Sequence, residues 1–253
     1  MGARSNRFLD RRDTGDHRSS EMPSLASIHT TFLRYHNRLS DSLRRINPSW
    51  PDEKIYQNAR NIISASLQII TFRDFLPRVL GRSFAAKFNL QPQTSGYSSH
   101  YDPECNPTIF NEFAAAAFRF GHSLIRPRLP LVDRGYRVLT EQLLLRRGFF
   151  NSDMLYSEHI IDQILRGLVT SSMETLDHSI TSEVTNHLFE NRAVPFSGMD
   201  LAALNIQRAR DHGIPSYTSY REICNISSRA SSFNDLRSDI PGPIVDRLSQ
   251  IYE

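Results

Sequence analysis

The sequence predicts a mainly helical, all-α fold, on three observations. Apolar residues recur at helical spacing, turn signals cut the chain into helix-length pieces, and almost nothing alternates apolar with polar residues as a strand would. The first piece runs from about Ser24 to Ile46, where Phe32, His36, Leu39, Leu43 and Ile46 mark one helical face that ends at Asn47-Pro48. A second starts after Trp50-Pro51-Asp52 and carries Ile55, Ala59, Ile62, Ile63, Leu67 and Ile70 up to Pro77 and Gly81. Gln91 to Pro107, rich in Pro, Ser, Gly, Tyr and Asp, reads as a loop. Ile109 to Ile125 reads as helix and contains four consecutive alanines, Ala114 to Ala117, whose small side chains let something large approach the backbone. Helices are also expected at about Tyr156 to Val169, His178 to Phe189 and Asp200 to His212, the last stopped by Gly213 with Pro215 beyond.

At 253 residues the chain is long enough for one large domain or two small ones, and 39% hydrophobic with 23% charged residues is the composition of a globular protein. Thirty basic against 27 acidic residues gives a net charge of +3, with the basic residues spread out. No Lys/Arg block marks a nucleic-acid footprint. No stretch reaches the roughly 18 apolar residues of a membrane span. Met1 to Asp13 has no apolar segment of the kind a secretory signal needs, and Asn6 breaks the myristoylation pattern. Residues 1–15 are therefore expected to be an irregular stub before a domain over residues 16–253. Cys105 and Cys224 leave the redox compartment open.

Three segments carry the candidate chemistry. In Phe118-Arg119-Phe120-Gly121-His122, Arg119 and His122 lie three apart and share a helix face beside Ala115 and Phe118. A cation, an imidazole and a flat small-residue floor suit a planar anionic cofactor, although a lone helical His also commonly packs. In the Asp200 to Tyr217 segment, Asn205, Arg208 and His212 give an otherwise apolar helix a polar side that needs partners. A buried network of Arg208 or Arg210 with Asp211 is the simpler account of it. In His17-Arg18-Ser19-Ser20-Glu21-Met22, Arg18 and Glu21 read as a charge pair at a helix start that Ser19 or Ser20 caps.

In this order and spacing the three segments resemble the animal haem peroxidases. The resemblance continues through Ile28-His29-Thr30, Arg34 to Leu39, Ile46 to Trp50 and Gln68 to Gly81, and it covers nearly all of residues 16–253. It implies a helical haem peroxidase core that uses hydrogen peroxide to oxidise small donors or halides. It also implies that His122 is the proximal ligand of the haem iron and that Asn205 accepts the hydrogen bond from its other ring nitrogen. Arg119 and Arg208 would bind the haem propionates. Arg18 matches the distal arginine that polarises bound peroxide. Glu21 matches the carboxylate that becomes ester-linked to a haem methyl. Met22 stands where the family usually has Gln; where a member has Met, its sulfur bonds to a haem vinyl, and simple packing of Met22 is the alternative.

The resemblance also implies what this sequence lacks. The family places a distal His, a nearby Gln, a second ester-forming Asp and a calcium-binding loop before the Arg18 motif, where only 17 residues stand. His17 does not match that distal His, so the general acid–base has no counterpart here. Cys224 resembles a family disulfide position whose partner lies further downstream, Cys105 matches no family cysteine, and Tyr35 replaces the usual Glu before His36. The chain is accordingly expected to be an incomplete peroxidase domain, truncated at both ends, with Met1 an internal methionine. By resemblance the protein is secreted, which the sequon Asn225-Ile226-Ser227 also fits. A degenerate peroxidase-like binding or adhesion module is the competing expectation.

Overall fold

The computed structural model describes residues 16–191, 193–226 and 230–252. Ten α-helices follow in order: α1 (Pro23–Ile46), α2 (Asp52–Ile69), α3 (Leu76–Val79), α4 (Arg82–Lys87), α5 (Asn111–Ala115), α6 (Ile160–Thr170), α7 (Ser182–Thr185), α8 (Leu201–Asp211), α9 (Tyr217–Ile223) and α10 (Gly242–Ile251). Short 3₁₀ segments and one small antiparallel pair, β1 (Arg128–Leu129) with β2 (Leu143–Leu144), complete the described residues. The all-α reading therefore holds. The expected stub at residues 1–15 and Ser227 of the sequon lie outside the described residues.

The chain divides into two compact units. The larger is drawn from the residues up to Thr108 together with His122–Leu201. Its helix α1 starts with Pro23 at the first turn, where a missing N–H does no harm, and ends with Arg44 and Arg45 at the negative end of the helix dipole. The buried N-terminal half of α1 is made of small residues, Ser24, Ala26, Ser27 and Thr30. Ser27 Oγ donates to Pro23 O at 2.8 Å and Thr30 Oγ1 to Ala26 O at 2.8 Å, so these two buried hydroxyls are satisfied within the helix. Ala26 then meets Leu131, Leu155, Ile161 and Ile164, which brings α6 onto α1.

In α6, Gly167 is required. A Cβ there would lie 2.0 Å from the Pro130 carbonyl oxygen, so only glycine lets the helix run this close to the strand-like segment beneath it. Arg166 reinforces the approach by donating to Val132 O at 2.8 Å. A second apolar cluster, Leu145, Val184 and Leu188, lies under Met22, Ile125, Phe149 and Phe189.

Three expected helices of the larger unit are altered. The second helix is α only to Ile69; Ile70–Phe75 is a π-helical turn in which Leu76 N–H bonds to Thr71 O, five residues back. Pro77 explains this, since it has no N–H to give and its ring crowds the preceding turn, so the ladder widens before it. The helix expected over His178 to Phe189 shrinks to α7, capped by Thr181, because Phe189 adopts a positive φ and Leu188 pairs with Met199 instead. The Tyr156 to Val169 helix starts only at Ile160, because Asp153–Tyr156 is a separate 3₁₀ turn and His159, at a left-handed φ of 66°, is the N-cap of the α-helix.

The smaller unit joins Ile109–Gly121 with Ala202–Glu253. Here the Ile109 to Ile125 helix breaks. α5 stops at Ala116, whose φ of −135° is not helical, and a 3₁₀ helix takes over from Ala117 to Leu124. Phe113 stacks on Phe118 across the break with ring centroids 4.9 Å apart, a contact a continuous helix would not need. At the other end of this unit, α10 packs on the 3₁₀ turn Phe233–Ser238 around Leu236 and Val245.

Candidate functional site

Of the candidate residues, Arg18, Glu21, Met22 and His122 belong to the larger unit, and Arg119, Asn205 and Arg208 to the smaller. Within the larger unit the start of α1 fixes the first three. Gly148 approaches so closely that a Cβ on it would lie 2.4 Å from Pro23 Cγ, and Phe150 N–H bonds to Glu21 O at 3.2 Å. The chain before α1 is thereby pinned to the segment after Leu145. Ser19 and Ser20 are buried, but Met22, in extended geometry, occupies the N-cap of α1 and no side chain caps the helix, contrary to the serine cap expected. Met22 packs on the Leu145, Val184 and Leu188 cluster.

Arg18 is exposed and grips Asp16, with Nε at 3.2 Å from Oδ1 and Nη2 at 3.1 Å from Oδ2. The side-chain hydrogen bonds, with the Arg18 backbone N–H and charge added, pull the Asp16 carboxyl down to about 2. The expected pairing partner was Glu21, which lies on the same turn and adds only a weaker attraction. Asp16 wins because its carboxylate accepts both the backbone and the guanidinium of Arg18.

His122 sits half-buried in the 3₁₀ segment, followed at once by the buried Ser123. Two hydrogen bonds clamp the residues after it: Asp177 N–H to Ser123 Oγ at 3.4 Å and Glu174 N–H to Leu124 O at 3.2 Å.

In the smaller unit the structure joins two candidates that the sequence placed 86 positions apart. Arg119 Nη1 donates to Asn205 Oδ1 at 3.1 Å. The Nε of the same guanidinium is buried and has no hydrogen-bond partner among the described residues. Arg208 pairs with Asp211 at 3.7 Å, but both side chains are at least half exposed. The buried Arg–Asp network entertained from sequence is therefore a surface pair, because α8 in this unit has no fully buried residue. His212 lies just past α8, and Asn111 Nδ2 donates to its carbonyl at 3.1 Å. That leaves Asn111 Oδ1 to accept from His212 Nδ1 at 2.7 Å.

Sequence reasoning missed Asp16, Asn111 and the pair Arg146–Glu183. Glu183 is buried, and Arg146 meets it with backbone N–H at 3.0 Å and with the guanidinium edge-on. Burial pushes the Glu183 carboxyl up, but the Arg146 hydrogen bonds and charge outweigh it and hold it below its ordinary value. Only a long-range pairing signal would have revealed this pair, since 37 positions separate its members. Cys105 and Cys224 are both exposed free thiols. No helix among the described residues is long and apolar enough to cross a membrane.

This mainly helical fold is shared with solved enzymes. Peroxidase A from Dictyostelium discoideum superposes with a TM-score of 0.79 at 35% identity, over 94% of this chain and 43% of that one. A fatty acid alpha-dioxygenase from Oryza sativa has the same fold, with a TM-score of 0.72 at 19% identity, over 92% of this chain and 43% of that one. The sequence matches the animal haem peroxidase family over residues 5–253, and the chain belongs to that family. It is 40% identical to the human peroxidasin homolog over 94% of its own length and 16% of the relative's. Mouse myeloperoxidase is 44% identical over 84% of this chain and 29% of the relative. The chain thus spans well under half the length of these relatives.

Proposed function

We propose that the protein is a haem-dependent peroxidase that oxidises small donors, halides among them, with hydrogen peroxide, and that it works outside the cell. One observation carries the reading. Arg119 holds a buried guanidinium nitrogen without a partner, beside an amide that fixes the rest of the group. A desolvated N–H donor of a cation is costly to leave unmade, and a carboxylate answers it with a charge-assisted bond. Haem offers two carboxylates, and family membership supports haem as their source.

On this reading His122 would ligate the haem iron and Asn205 would be the partner that orients its imidazole. Arg119 and Arg208 hold the propionates. Arg208 is able to do so because its exposed pair with Asp211 contributes at most about 1 kcal/mol and exchanges readily. Glu21 and Met22, pinned at the start of α1, are the residues that would link covalently to the haem edge. Arg18 would leave Asp16 and direct its N–H groups at the peroxide oxygen that gathers negative charge. Haem, when bound, supplies the redox-active iron.

The test compares haemin with its dimethyl ester, which lacks the propionate charge. Arg119→Ala should weaken haemin binding about tenfold or more, the loss of one charge-assisted hydrogen bond, and leave the ester's affinity unchanged. Equal losses for both ligands would mean that Arg119 only supports the fold.

A further inference from the structure

Three Asn-X-Ser/Thr triplets occur in the chain: Asn47-Pro48-Ser49, Asn106-Pro107-Thr108 and Asn225-Ile226-Ser227. Proline in the middle position disqualifies the first two as glycan acceptors, so only the third is competent. Its acceptor is exposed at the surface turn that closes α9. Asn225 N–H bonds to Glu222 O at 3.0 Å and Ile226 N–H to Arg221 O at 3.0 Å, with Asn225 at φ 53°. This left-handed helix ending accepts Gly or Asn with little strain, which accounts for an asparagine here but not for a hydroxyl residue two positions on. Ile223 and Ile226 flank it at 64% and 69% exposure, so the turn stands in solvent.

We infer that Asn225 is an N-glycosylation site. The inference rests on the extracellular reading above, since the donor is the polyprenyl-diphosphate-linked oligosaccharide of the secretory pathway. The amide Nδ2 bonds to the anomeric carbon of the first sugar and gives up one proton. The bond from that carbon to the diphosphate oxygen breaks, and the diphosphate leaves with the electron pair. A glycan at this turn keeps the end of α9 in solvent and shields the exposed Cys224 beside it.

The test expresses the complete coding sequence in a secreting eukaryotic host and treats the product with peptide-N-glycosidase, which converts a glycosylated Asn to Asp. Mass spectrometry of the peptide containing position 225 should show Asp after treatment. The mobility step should vanish in Asn225→Gly, which keeps the left-handed turn, and in Ser227→Ala, while Ser227→Thr retains it. Secreted protein with an unmodified Asn225 overturns the site alone. A protein that never enters the secretory pathway overturns both the site and the extracellular reading. Neither outcome touches the haemin test.

Discussion

Arg119 shows how a single side chain registers a ligand. Its guanidinium is half satisfied by Asn205 and half bare, and a buried N–H donor left unmade forfeits about 1–3 kcal/mol. The sequence showed the two residues and the polar face each sits on, but not that they meet, because no local pattern encodes a contact across 86 positions. The Arg146–Glu183 pair has the opposite character, since it is satisfied on both sides. Removing one partner strands a buried charge, so Arg146→Met should lower unfolding stability by about 3–5 kcal/mol in denaturant titration. Glu183→Gln, which keeps the shape and removes the charge, should cost less.

Asp16 gives a pH signature at the same scale. Its carboxyl falls from the model-compound 3.8 to about 2, so the pair with Arg18 is fully formed above the ordinary value and is lost as pH falls through about 2. A carboxyl-carbon NMR titration should therefore find Asp16 still ionised at pH 3. A midpoint near 4 would show that Arg18 is not held there in solution.

Among the elements, α1, α2 and α8 were legible because long apolar periodicity and strong Pro and Gly signals frame them. What stayed hidden were the departures from regular helix. The π turn at Ile70–Phe75, the break at Ala116 and the left-handed His159 all keep helical composition and differ only in which carbonyl each N–H finds. For the candidate site the break matters most, since the segment that carries its residues after Ala116 is a 3₁₀ helix and not the α-helix predicted. The approach of α6 to Pro130 was equally invisible, as a lone Gly167 in a helix reads as a weak point and not as a contact. Gly167→Ala forces a methyl into a backbone carbonyl 2.0 Å away, so it should destabilise by about 1–3 kcal/mol, read as a fall in denaturant midpoint. An unchanged midpoint would mean that the helix sits further off.

For the whole molecule, family membership was the most legible feature, because many motifs agree in register along the chain. Function was less so, since the chain spans well under half the length of its relatives and the roles of single residues are carried by resemblance alone. The larger unit also leaves Ile62, Leu67, Ile69, Ile70, Phe72 and Phe75 between 38% and 44% exposed along α2 and its π turn. Apolar surface on this scale should make the 253-residue chain, expressed alone, bind a hydrophobic reporter dye strongly. Every role proposed for the haem site depends on haem being ligated through His122. The direct measurement is the Soret spectrum of the haemin-reconstituted protein beside that of His122→Ala. The account predicts a shifted, ligand-bound band for the wild type that collapses toward free haemin in the variant, and coincident spectra would contradict it.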